Sequence, residues 1–279
     1  MTSRSPARRG FDPLRPLRYL WRTPLLVLLV LGGVLLTLLV SNPVTGRRGL
    51  VPSRHWEGLV HRWSRAMLRL FGFRVRIVGQ PAPHPVLLVA NHVSWLDIEA
   101  LHAARGASFV AKAEIERWPL VGWLAAQAGT LFHKRGSNDS LARVMDHMRE
   151  RLRGGHSVAV FPEGGTGSGE RLRPFHARIF QVAMDTGTPI QPVAIIYGDG
   201  GRMDLDVPFR PGEGFFPNAL RLLGQRPMAA EVHFLEPLLP DANGRRELAE
   251  GSRTRIAAVL EGGEPAGLPA HGATADGHA

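Results

Sequence analysis

Apolar and polar positions follow three different rhythms along this chain. Residues 24–40, PLLVLLVLGGVLLTLLV, carry no charge, as expected of a helix that meets hydrocarbon rather than water. Seventeen helical residues reach about 25 Å, against a hydrocarbon core of about 30 Å, so the stretch is short for a full span. Residues 54–72, RHWEGLVHRWSRAMLRLFG, set Trp56, Leu59, Trp63, Leu68 and Leu70 among Arg54, Arg62, Arg65 and Arg69. That interleaving suits a helix lying in lipid head groups, and it suits equally an amphipathic helix packed on a domain.

From residue 74 onward, short apolar runs alternate with helical periodicity. Strands are predicted at 74–79, 85–90, 107–112, 129–134, 157–161, 189–196 and 230–238. Helices are predicted at 94–105, 118–129, 138–155, 175–187 and 245–261, the third capped by Asn138 or Asp139 and stopped by Gly154 and Gly155. This alternation predicts an α/β fold, a mixed sheet flanked by helices, preceded by an N-terminal hydrophobic membrane-anchor helix. Residues 198–218, rich in Gly, Pro and Phe, read as an irregular excursion. The expected organisation is a basic N-terminus and membrane anchor (1–50), one domain with an amphipathic lead-in helix (51–261), and a disordered tail (262–279).

Charge sharpens the picture at the N-terminus. The net charge is +10, which calls for an anionic partner, nucleic acid or anionic lipid. Arg4, Arg8, Arg9, Arg15, Arg18 and Arg22 precede the apolar run, opposed only by Asp12, and Arg47, Arg48 and Arg54 follow it. Arginines beside an apolar segment favour lipid, and no nucleic-acid-reading motif is present. Three topologies remain open: a cleaved signal peptide, for which SNPVTG offers no small-x-small site; a single span; and a re-entrant or monotopic anchor. There is no cysteine, which excludes disulfides, thiolate metal sites and cysteine nucleophiles.

Three stretches carry candidate chemistry. In NHVSWLD (91–97), Ser94 and Asp97 have the spacing of a capping box, which alone explains Asp97. On a continuous helix His92 and Asp97 would not face each other, but a bend after the strand lets the carboxylate accept from one ring nitrogen and leave the other as a base. In FPEGGTGSGE (161–170) a strand runs into closely spaced glycines beginning at Gly164, with Glu163 at the mouth of the turn. This suits close approach of a ligand to backbone, or simply a surface turn; it is neither a P-loop nor a nucleophile elbow. In GTLFHKRG (129–136), Lys134 and Arg135 end a strand, as solvated charges or as a clamp for phosphate or carboxylate.

Taken in order, these motifs resemble a known family. NHxSxxD at Asn91-His92-Ser94-Asp97, GxxFxxR at Gly129-Phe132-Arg135, FPEG at Phe161-Pro162-Glu163-Gly164 and an apolar strand with Pro192 are similar to the four motifs of the glycerolipid and lysophospholipid acyltransferases, over roughly residues 74–196. The resemblance implies acyl transfer from acyl-CoA or acyl carrier protein to the hydroxyl of a lysolipid, with no metal. It implies His92 as general base and Asp97 as its orienter. Arg135, Glu163 and Gly164 would hold the acceptor head, and Lys112 would assist with the donor or with the thioester oxygen. Two positions depart from the pattern. Many members that form phosphatidic acid read FPEGTR, whereas Gly165 and Thr166 follow here, with no arginine before Arg171; and His133 stands where an aliphatic residue is usual. FPEGGTGSGE, PFHARIFQVA and GEGFFPNALRLL look closer to the lyso-ornithine lipid acyltransferases.

The resulting expectation is a lysolipid O-acyltransferase of the inner (cytoplasmic) membrane, with a monotopic or re-entrant anchor and the catalytic domain on the cytoplasmic face. The alternatives are a non-catalytic lipid-binding protein of the same fold and a basic nucleic-acid binder.

Overall fold

The computed structural model describes residues 12–40, 54–83, 85–240 and 244–263. The predicted tail beyond Gly263 and much of the basic N-terminus therefore lie outside the described residues. Seven strands among those described form one sheet: β1 (Phe73–Val78), β2 (Leu87–Ala90), β3 (Ser108–Lys112), β4 (Leu131–His133), β5 (Val158–Val160), β6 (Ile190–Tyr197) and β7 (Met228–Phe234). Their order is β1-β7-β6-β2-β5-β3-β4. Every pairing is parallel except β6 with β7, so the expected mixed α/β sheet is found. Burial follows position. Central β2, β5 and β6 are buried throughout, as strands covered on both faces must be, whereas edge strand β1 exposes Arg74 and Arg76.

Helices cover both faces. On one side lie α1 (Arg15–Val40), α2 (Arg54–Leu70), α3 (Leu96–Ala104) and α8 (Phe215–Leu223). On the other lie α6 (Asn138–Arg153), α7 (Gln181–Thr186) and α9 (Arg245–Leu260). Short α4 (Ala113–Glu116) and α5 (Val121–Gln127) bridge β3 to β4. Helix α8 falls at the end of the segment read as irregular. The helix expected over 175–187 divides into a 3-10 turn (Ala177–Phe180) and α7. The cap of α6 is Ser137 rather than Asn138 or Asp139: its hydroxyl accepts from Ser140 N at 3.1 Å.

The anchor helix is longer than its apolar run. It starts at Arg15 and continues through Pro24 for 26 residues, about 39 Å at 1.5 Å per residue; Arg15–Leu39 is long and apolar enough to cross a membrane. Two of its arginines, read from the sequence as part of the basic cytoplasmic-type flank, turn into the domain. Arg22 is 2% exposed and donates to the carbonyls of Phe71, Leu223 and Gln225; Arg18 donates to Asp12 and to Gly224 O. These carbonyls end α2 and α8, where the last turns leave acceptors without helical partners. Farther along, Trp63 of α2 donates to Leu29 O at 3.2 Å, and its ring occupies the space a side chain on Gly33 would need. Helix α2 lies between α1 and α3, burying Ser64, Met67 and Leu68, so it is packed on the domain. The opposite face of α1 exposes Leu20, Leu28, Leu31, Leu35 and Leu39.

Candidate active site

Strands β2, β5, β3 and β4 are neighbours in that order and all parallel. Their carboxyl ends therefore share one edge of the sheet, where open α/β sheets form their clefts. Chain leaving β2 carries His92, chain leaving β5 carries Glu163, β3 ends at Lys112, and Arg135 follows β4 by two residues. Sheet topology alone thus sets four sequence-predicted residues along one edge, the first and last of them 71 positions apart.

Asn91 fixes the exit from β2. Its side-chain amide donates to Ile195 O and its oxygen accepts from Ile195 N, stapling the turn to β6. The chain then bends, and His92 Nδ1 meets Asp97 Oδ2 at 2.7 Å. Asp97 is fully buried and accepts three more bonds: from Val93 N at 2.7 Å, Ser94 N at 2.9 Å and Tyr197 Oη at 2.8 Å. A carboxylate accepts only, so Nδ1 carries the proton in neutral His92 and Nε2 keeps its lone pair. Nε2 makes no hydrogen bond among the described residues, and the His92 side chain is 15% exposed.

The predicted capping box forms only by half. Asp97 accepts from Ser94 N, but Ser94 Oγ reaches Leu96 N at 3.3 Å, and Asp97 N is taken by Ser94 O in a tight turn. Trp95 occupies the cap position of α3 without a side-chain cap. Asp97 instead gathers donors from the bend, which holds the bend and His92 together.

The glycine-rich turn grips His92 from the other side. Glu163 Oε1 accepts His92 N at 2.8 Å, while Gly167 N donates to His92 O at 2.7 Å. The Phe161 ring stacks on the imidazole at 4.0 Å. Glu163 is buried, and its second oxygen accepts Arg173 N at 3.1 Å. Gly164 adopts φ +73°, and a side chain there would press on His176 Nε2. Lys112 is half-exposed and pairs with Glu114 at 3.4 Å. The Arg135 guanidinium lies against the backbone of Gly165. His133 Nδ1 contacts Ser140 Oγ at 3.2 Å. Pro192, across the ladder from Val89, is a core position beneath the bend.

Two members of the cluster escaped sequence reasoning. Tyr197 closes β6 and is fully buried; burial and the adjacent Asp97 charge hold its phenol well above the ordinary range, so it remains a neutral donor. Arg173 folds back over the turn, its Nη2 donating to Gly165 O and its Nε 3.5 Å from Glu163 Oε2.

Comparison with known proteins gives a consistent answer. The acyltransferase family model matches residues 74–196. The chain is 38% identical over 206 residues to the lyso-ornithine lipid O-acyltransferase of Pseudomonas aeruginosa, covering 74% of this chain and 80% of that protein. It is 46% identical over 125 residues to the 1-acyl-sn-glycerol-3-phosphate acyltransferase of Neisseria meningitidis, covering 44% of this chain and 49% of that one. The crystal structure of the 1-acyl-sn-glycerophosphate acyltransferase of Thermotoga maritima has the same fold, with a TM-score of 0.59 at 21% identity, over 86% of this chain and 98% of that one.

Proposed function

The chain belongs to the acyltransferase family, and from that premise we propose that it transfers a fatty acyl group from acyl-CoA or acyl carrier protein to the hydroxyl of a lyso-ornithine lipid, with His92 as general base. The observation that carries this reading is the contact of His92 Nδ1 with Asp97 at 2.7 Å, beside an Nε2 with no hydrogen bond among the described residues.

The step balances without a covalent enzyme intermediate. Nε2 takes the proton of the acceptor hydroxyl as that oxygen bonds to the thioester carbonyl carbon. The C–S bond then breaks, and the imidazolium returns the proton to the departing thiolate. Asp97 holds the ring in the required tautomer and offsets the transient imidazolium charge. General-base catalysis contributes about 10²–10⁴-fold. The remainder rests on positioning, which the two-sided grip on the His92 backbone supplies, and on stabilising the developing oxyanion. We assign Lys112 to the donor side and Arg135 to the acceptor head. Glu163 and Gly164 shape the turn between them, since both Glu163 oxygens already accept from backbone.

The attachment of α1 supports a monotopic location. A helix fastened to the domain through Arg18, Arg22 and Trp63 has only its leucine face to offer a bilayer, and lies with the domain rather than projecting from it. We place the domain on the cytoplasmic face, where acyl thioesters are available.

The test is an acceptor panel with one labelled acyl donor. Lyso-ornithine lipid is expected to outrun 1-acylglycerol 3-phosphate as acceptor. Transfer to neither, by folded wild-type protein in detergent micelles, would sink the reading.

A further inference from the structure

Two guanidinium groups converge on one glycine beside His92. Arg173 Nη2 donates to Gly165 O, and its Nε faces Glu163 Oε2 at 3.5 Å. Arg135, from the far strand β4, sets Nη1 and Nη2 each 3.4 Å from the point where a side chain on Gly165 would begin. Its planar head therefore rests on backbone that a bulky residue would cover.

Like charges repel, and two arginines gathered at one backbone unit carry more positive charge than their surroundings balance. Glu163 faces Arg173 only, and its oxygens already hold His92 N and Arg173 N. Arg135 closes no ion pair and donates no hydrogen bond among the described residues; Glu114, its acidic neighbour, pairs with Lys112 at 3.4 Å. Arg173 engages Nε and one Nη2 proton, so most of its fork, and all of Arg135's, remains to be filled. Guanidinium forks are shaped for the two oxygens of a carboxylate or phosphate.

We propose that Arg173, a residue outside the four family motifs, joins Arg135 across Gly165 to bind the anionic group of the acyl acceptor. This deepens the proposed function and rests on it. The chemistry selected is a two-oxygen anion, which the carboxylate of an ornithine head or a phosphate monoester both provide. Glu163 ties the site to the reaction: one carboxylate holds the backbone of Arg173 and that of His92, so anchoring the anion at Gly165 positions the acceptor hydroxyl relative to Nε2.

Steady-state kinetics of full-length protein in mixed micelles test this. Wild type, Arg173→Ala and Arg173→Lys are compared on lyso-ornithine lipid, its carboxyl methyl ester, and 1-acylglycerol 3-phosphate. Arg173→Ala is expected to raise the acceptor KM about 10- to 100-fold, as loss of a charge-assisted contact does, with kcat within about threefold and with partial rescue by Lys. On wild type the methyl ester is expected to show the same raised KM, and Arg173→Ala to raise it no further. A rise for both acids assigns the pair to anions generally; a rise for one assigns it to that anion. Equal losses on acid and ester, or an unchanged KM, would overturn the proposal and leave Arg173 as a strut for the turn. Equilibrium titration of each acceptor without donor reads the clamp separately from turnover. Binding weakened by Arg173→Ala in a protein that transfers nothing would retain the clamp and reject the reaction.

Discussion

Tyr197 Oη donates to Asp97 Oδ1 at 2.8 Å, on the oxygen opposite the one that holds His92, although the two residues stand 100 positions apart. Strand β6 is parallel to β2, so its last residue arrives at the edge where the His92–Asp97 bend begins. The Asp97 carboxylate is thereby fixed at both oxygens.

Replacing Tyr197 by Phe removes one of four donors from a buried carboxylate. A hydrogen bond to a charged group contributes about 1.5–3 kcal/mol. Tyr197→Phe is expected to lose stability in that range and to lower kcat about tenfold through a less constrained Asp97, with the acceptor KM nearly unchanged. Urea unfolding and steady-state turnover read the two effects; unchanged kcat would assign the phenol to stability alone.

Glu163→Gln separates a turn-holding role from direct contact with acceptor. Gln presents an NH₂ group toward one of two backbone donors, His92 N or Arg173 N, leaving a buried donor unmatched at about 1–3 kcal/mol. The expected outcome is a lower melting temperature together with a fall in kcat. Full stability with only a raised acceptor KM would show that Glu163 touches the acceptor.

The interface of α2 with α3 sets two opposed pH dependences. Burial pushes the Glu99 carboxyl up to about 7, partly offset by Ser64, and burial with His61 nearby lowers His102 to about 4. Folded Glu99 keeps a proton that the unfolded chain has released, so its contribution falls as pH rises from 4.5 to 7. Folded His102 refuses a proton that the unfolded chain accepts below 6.5, so its contribution rises from pH 4 to 6.5. Wild-type stability is expected to be nearly flat between pH 4.5 and 6.5 as far as this pair is concerned. Glu99→Gln should uncover the rising His102 slope and gain stability over wild type above pH 7. Thermal melts across this range check the sign, and superimposable curves would contradict it.

Arg22→Ala withdraws the donor that serves three carbonyls at the ends of α2 and α8. Its side chain is almost fully enclosed, so a loss of about 2–4 kcal/mol is expected, with α1 becoming sensitive to protease. Arg15→Ala, whose side chain lies at the surface beside Tyr19, is expected to change little. Equal protease resistance of both variants would argue that α1 is not held by this contact.

The fold was legible wherever local pattern and tertiary demand agreed. The mostly apolar runs of β2, β5 and β6 read as strands, and a strand running into a capped helix left open the bend that joins His92 to Asp97. Helix α8 was hidden because Pro217 and the preceding glycines read as irregular chain, although its first turn tolerates proline. The docking of Arg18 and Arg22 was not legible, because a basic flank looks the same whether its side chains meet solvent or carbonyls; only the packed geometry distinguishes them. Tyr197 and Arg173 carried no local signal, since each joins the site through sheet topology or a returning loop.

The most direct test of the central claim is turnover by His92→Ala. With labelled acyl-CoA and lyso-ornithine lipid, wild type is expected to form the O-acyl product. His92→Ala, still folded with a cooperative melt although the loss of one donor to Asp97 lowers its melting temperature, and with unchanged acceptor binding, is expected to fall by at least about 10²-fold in kcat. Turnover at the wild-type rate in the folded variant would contradict the assignment of His92 as the base.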